Sequence, residues 1–156
     1  MSIVERDGEI EEDQRYFVHG TTTTLWRDDT IDPARGGGDF GAGFYAFEDT
    51  GWGRRAAAIW ARRKAGAGGE PILVRVRIRG AAFEVLDRRD VPADAFDEVR
   101  RLYARLGLMG KELIVGPVGR RRPQGRRVPD HGLPLQYKFE GTGIVKLVVD
   151  EIIPAR

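Results

Sequence analysis

Residues 72–78 read Ile-Leu-Val-Arg-Val-Arg-Ile. In an extended chain Ile72, Val74, Val76 and Ile78 fall on one side, while Leu73, Arg75 and Arg77 fall on the other. That alternation predicts a strand with one fully apolar side, so the chain must supply a sheet and something to cover it. Further β-prone runs occur at Tyr16–Val18, Gly43–Phe47, Phe83–Leu86, Leu113–Val115, Leu135–Phe139 and Ile144–Ile153. Helical spacing appears twice. Trp52, Ala56, Ile59 and Trp60 mark one face of a helix over 52–65, with Arg62, Arg63 and Lys64 in its last turn. A second helix starts near Asp94 as N-cap and presents Phe96, Val99, Leu102, Tyr103 and Leu106 before Gly107. Strands outnumber helices and lack a βαβ rhythm, which predicts an α+β domain over a doubly wound one.

Residues 1–15 read as a mobile acidic N-terminal segment carrying Glu5, Asp7, Glu9, Glu11, Glu12 and Asp13, and residues 16–156 as a single domain. The first 14 residues lack the basic start and apolar stretch of a signal peptide, and no apolar run reaches the ~18 residues of a membrane span. A cytoplasmic protein is expected, or one delivered without a classical signal. With no cysteine and two histidines, His19 and His131, thiolate chemistry is excluded and a metal site is not expected. The segment 119–127 carries Arg120, Arg121, Arg122, Arg126 and Arg127. Such a run is either a solvated loop or a phosphate-attracting surface for RNA or DNA.

Three clusters carry candidate chemistry. Val18-His19-Gly20-Thr21-Thr22 puts a histidine at a strand end, followed by a glycine that allows close approach to the backbone. A long loop over 27–43, of a length that tends to be functional, leads into Asp39-Phe40-Gly41-Ala42-Gly43-Phe44-Tyr45. Tyr45, with an aromatic from the following Ala58-Ile59-Trp60, could sandwich a flat ring, and a cationic ring would gain further. Gln136-Tyr137 is a polar amide near the start of a late strand.

Taken together, the three clusters resemble the ADP-ribosyltransferase superfamily in its histidine–tyrosine–glutamate branch, which includes diphtheria toxin and the poly-ADP-ribose polymerases. The likeness is nearest to small bacterial domains with an HGT start, a DFGxGFY core and a following Trp-Ala helix, and it covers roughly residues 16–140. It implies a split pair of β-sheets around an NAD cleft, with a few helices. It implies NAD as co-substrate and no metal, with transfer of ADP-ribose to a protein or nucleic acid and release of nicotinamide. Catalytic roles fall to His19, Tyr45 and Gln136. His19 would bond the adenosine-side ribose, the Gly20 backbone the nicotinamide carboxamide, and Tyr45 and Trp60 the nicotinamide ring. Thr21, Arg35, Gly43 and Phe44 complete the implied cofactor-binding set, Arg35 reaching a phosphate. A bacterial toxin or defence effector is implied, with a cognate antitoxin or immunity protein as partner, and no membrane.

The chain departs from the family at its third motif, where Gln136 stands in place of glutamate. An amide can orient a ribose hydroxyl but supplies no negative charge and no general base. Glu140 shares its strand face about 13 Å away, at ~3.3 Å per residue, too far to replace it directly. A non-catalytic module binding NAD, ADP-ribose or nucleic acid, and an NAD glycohydrolase, therefore remain as alternatives.

Overall fold

The computed structural model describes residues 4–6, 9–11, 13–26, 38–66, 68–122 and 127–155, with 4–6, 9–11 and 104–106 described by backbone alone. It is a mixed α+β structure built on a seven-stranded, mostly antiparallel sheet. A short hairpin, β1 (Val4–Arg6) with β2 (Glu9–Glu11), precedes the sheet. The remaining elements in chain order are β3 (Gln14–Thr22), β4 (Phe44–Glu48), α1 (Gly51–Ala65), β5 (Pro71–Arg79), α2 (Gly80–Glu84) and β6 (Arg88–Asp90). A 3-10 turn at Ala93–Ala95 then leads into α3 (Phe96–Leu106). The chain ends with β7 (Leu113–Gly116), β8 (Val118–Arg121), β9 (Arg127–Asp130), β10 (Gln136–Phe139), α4 (Thr142–Val145) and β11 (Val148–Pro154).

The sheet order is β11-β5-β3-β4-β10-β7-β6, and β8 pairs with β9 in a separate ribbon. One face is the main core, where Phe17, Phe44, Val74, Val76, Tyr137 and Phe139 pack with Phe83 from α2 and Ile144 from α4. The other face carries two clusters. α1 covers Val18, Phe47 and Leu73, while Phe40, Phe96, Val99, Tyr103 and Ile114 pack where α3 meets the β7 side.

α1 lies unusually close to the sheet. Its buried side is Gly53, Ala56, Ala57, Ala58 and Ala61, all small. A Cβ on Gly20 would come within 1.9 Å of the Ala57 carbonyl oxygen, so only glycine fits in β3 under this helix. Thr50 caps its start, the hydroxyl accepting from the Gly53 amide at 2.9 Å.

Several expectations are corrected. Phe83 lies in helix α2, which turns the chain under the main core, not in a strand. Trp52 and Leu102 are 48% and 45% exposed, so helical spacing overstated both buried faces. Trp52 stands on the outer side of the first turn of α1, whose buried Gly53 lies against β4. Residues 142–145 are helical, and the last strand starts at Val148. The arginine segment, taken for a loop, pairs as β8 and β9. The side chain of Leu106 lies outside the described residues.

Candidate functional site: a fork in the sheet

β3 pairs with β5 along its whole length, from Gln14 opposite Arg79 to Thr22 opposite Pro71. Its pairing with β4 is confined to Phe17 opposite Glu48 and Val18 opposite Phe47. The rest of β4 turns to β10, with Phe44, Tyr45 and Ala46 opposite Phe139, Lys138 and Tyr137. The sheet therefore forks after Val18, and His19, Gly20 and Thr21 line one prong.

His19 bridges the fork. Its Nδ1 lies 2.5 Å from the Tyr45 carbonyl oxygen, and its ring stacks on Phe44 at a centroid separation of 4.5 Å. A carbonyl only accepts, so Nδ1 carries the proton and the neutral ring holds its lone pair at Nε2. Burial, with help from the Lys64 ammonium, pushes the imidazole pKa down to about 3, so the ring is neutral at pH 7. Nothing among the described residues donates to Nε2. Among the described residues no buried side-chain nitrogen or oxygen lacks a partner, so Nε2 reaches the surface.

Lys64 is a residue that sequence reasoning assigned only to the helix dipole. Its Nζ donates to the Gly20 carbonyl oxygen at 2.7 Å, and burial lowers its pKa. The fork thus has a hydrogen-bond acceptor at His19 Nε2 and a cation at the Gly20 carbonyl. The same contact means that the Gly20 carbonyl, expected to grip a carboxamide, already has a donor. The side of Gly20 on which a Cβ would stand is filled by α1. Thr21 is buried in β3.

Tyr45 projects to the opposite face from His19. Its hydroxyl accepts from the Phe40 amide at 2.9 Å and donates to the Gly41 carbonyl at 2.6 Å, and its ring lies under Gly38. Burial raises its pKa. The ring packs against the α3 cluster, while Trp60 packs against the α1 cluster and carries the Arg63 guanidinium 4.9 Å from its centroid. The two aromatics thus stand on one sheet face in neighbouring clusters.

The 39–45 motif is a folded strut. Phe40 is fully buried. Gly41 has φ +82, and a Cβ there would stand 2.0 Å from the Gly107 oxygen. Gly43 lies over the Lys138 side chain, which a Cβ would strike at 2.5 Å. Phe44 belongs to the main core beneath His19. Asp39, a buried carboxylate, accepts from the Gly119 amide (2.7 Å), Arg127 Nε (3.0 Å) and Gln136 Nε2 (3.1 Å), with Arg100 at 3.7 Å. The motif held this aspartate in view, but partners 80 to 97 residues away leave no local signal.

Gln136 is buried, and its amide nitrogen donates to Asp39 and to the Pro117 carbonyl at 2.9 Å. Those two acceptors fix which end of the amide faces inward. Its Oε1 receives no described donor and, by the same accounting as for His19, meets solvent. Glu140 is spent elsewhere. It accepts from the Met109 and Gly110 amides, both within 3.2 Å, and pairs with the fully buried Lys138, which also donates to the Phe40 carbonyl at 2.6 Å. It holds a turn together and is not offered to the fork.

His19 and Gln136 lie on opposite faces of the sheet, with β4 between their strands. Arg35 and Arg126 lie outside the described residues. Among the described residues no three histidine, aspartate or glutamate side chains converge as a metal ion would need, and no helix is long and apolar enough to cross a membrane. A scan of the chain against models of known protein families returned no match, and neither did a search of the curated proteins.

Proposed function

We propose that the fork between β3 and β4 binds NAD, and that the protein is an ADP-ribosyltransferase of the histidine–tyrosine–glutamate kind acting on a macromolecule. The observation that carries this reading is His19. A neutral imidazole, its tautomer set by the Tyr45 carbonyl, aims a solvent-reaching Nε2 lone pair out of a fork that also holds the Lys64 ammonium. A ribose hydroxyl donates to such an acceptor, and a phosphate pairs with such a cation. Gln136 Oε1 is a second acceptor suited to a ribose hydroxyl.

In the proposed reaction a nucleophile of the acceptor forms a bond to the anomeric carbon of the nicotinamide ribose. The carbon–nitrogen bond to nicotinamide breaks, its electron pair returns to the ring, and nicotinamide leaves neutral. The acceptor's proton passes to solvent. Neither Gln136 nor Glu140 supplies a carboxylate at the fork, so this chain's contribution is positioning and not charge stabilisation.

That same observation favours a second reading, a domain that binds NAD or ADP-ribose without consuming it. The two separate in one experiment on the purified protein, following melting temperature and free nicotinamide in the presence of NAD. A ligand at about 100 times its Kd should stabilise the fold by ~2.7 kcal/mol, and His19→Ala should abolish that shift. Released nicotinamide supports the transferase, and a shift without release supports the binding module. If NAD neither shifts nor is consumed, the ligand assignment is wrong. Gln136→Glu is a poor rescue variant, because it would set a second carboxylate against Asp39 and lose both donated bonds.

A further inference from the structure

The β8–β9 ribbon pairs outside the main sheet, and three arginines at its outer end have no acidic partner among the described residues. Arg120, Arg121 and Arg122 are exposed, and their guanidinium groups enter none of the hydrogen bonds or ion pairs among the described residues. Five arginines elsewhere or at the ribbon's base differ from them. Arg54, Arg75, Arg88, Arg101 and Arg127 each hold a carboxylate within 3.0 Å.

The base of the ribbon is rigidly placed. Asp39 binds the Gly119 amide and Arg127, Arg127 Nη2 donates back to the Gly119 carbonyl at 2.8 Å, and Val118 packs into the α1 cluster. Gln136 shares the same carboxylate, so the ribbon rises beside the third motif. At its foot is an exposed aromatic. Trp52 is 48% exposed, and its indole Nε1 is directed at the Gly132 carbonyl at 3.4 Å, just after β9. A tethered indole that is not buried offers a flat face to solvent.

We infer that the β8–β9 ribbon and Trp52 form a docking surface for single-stranded nucleic acid. The arginines track the phosphates and the indole stacks a base, the combination by which single strands are held without sequence readout. An acidic protein would use the arginines but would leave the indole idle, and a duplex would keep its bases from it. This surface stands on its own observations and does not require NAD at the fork.

The test uses the whole protein, without NAD, and fluorescence anisotropy of a labelled mixed-sequence single-stranded RNA of about 20 nucleotides. Each phosphate contact to a single strand adds roughly 0.7 to the slope of log K against log salt. The variant R120A/R121A/R122A should therefore bind at least about 10-fold more weakly and lose about 2 from that slope. Trp52→Ala should bind about 10-fold more weakly with its slope unchanged, since stacking releases no counterions. All four residues are exposed, and unchanged urea unfolding confirms that the variants fold. Absent binding, parent-like binding by the triple variant, or equal binding of a duplex or of polyglutamate would overturn the inference. The NAD-induced melting shift should survive in the triple variant, so failure here is separate from failure at the fork.

Discussion

Replacing Asp39 tests the tightest knot in the structure. Its carboxylate, 5% exposed, receives the Gly119 amide, Arg127 Nε and Gln136 Nε2, and Arg100 stands nearby. Asp39→Ala would leave a buried amide, half of a buried side-chain amide and a largely buried guanidinium without their acceptor. Each orphaned buried donor costs about 1–3 kcal/mol, and breaking a buried pair from one side costs about 3–5 kcal/mol. These estimates overlap because the same carboxylate serves all three, and Arg127 and Arg100, 21% and 32% exposed, recover part of their hydration. A net loss of about 4 kcal/mol follows. For a chain of this length that is a fall of roughly 10 °C in melting temperature. Asp39→Asn should lose about 2–3 kcal/mol, because one oxygen still accepts while the new NH2 faces donors. Urea unfolding monitored by circular dichroism measures both. A double-mutant cycle with Arg127→Met should return a coupling of about 1–3 kcal/mol. A loss under 1 kcal/mol for Asp39→Ala, at unchanged m-value, would show that solvent reaches this cluster and that the motif is not the strut described above.

The remaining predictions concern charge. His19 titrates near 6.5 when unfolded and near 3 when folded, so between those values the unfolded chain binds the extra proton. Stability from this group is complete above about pH 6.5 and falls as pH drops toward 3. Between pH 6.5 and 5, above the range of ordinary carboxylates, the parent should lose on the order of 1 kcal/mol and His19→Gln much less. Equal pH dependence in a urea titration would contradict the neutral-ring assignment. Lys138→Met should cost about 3–5 kcal/mol by stranding Glu140, whereas Lys138→Met with Glu140→Gln should recover at least half of it, read by thermal melting.

What the sequence determined by itself was periodic or local. The alternation of Ile72–Ile78 named a strand with one buried side, and those four residues are buried. The 39–45 motif was recognisable as a unit. A mixed α+β class followed from the order of such elements. Amphipathic spacing could not say how wide the buried stripe of a helix is, so Trp52 and Leu102 were put on the apolar faces and stand outside. Nor could it separate a strand from a short helix at Phe83, because a few apolar residues satisfy either period.

Only the tertiary structure decided the chemistry of each group. Gly20 looked free for a ligand until α1 was found against it. Lys64 looked like a dipole partner until its ammonium was found on the Gly20 carbonyl. Glu140 was a spare carboxylate until Lys138 and two backbone amides were found on it. The physical reason is common to all three. A side chain's protonation, orientation and availability depend on what desolvates it and what bonds it, and those partners are set by chain crossings tens of residues apart, to which local pattern is blind.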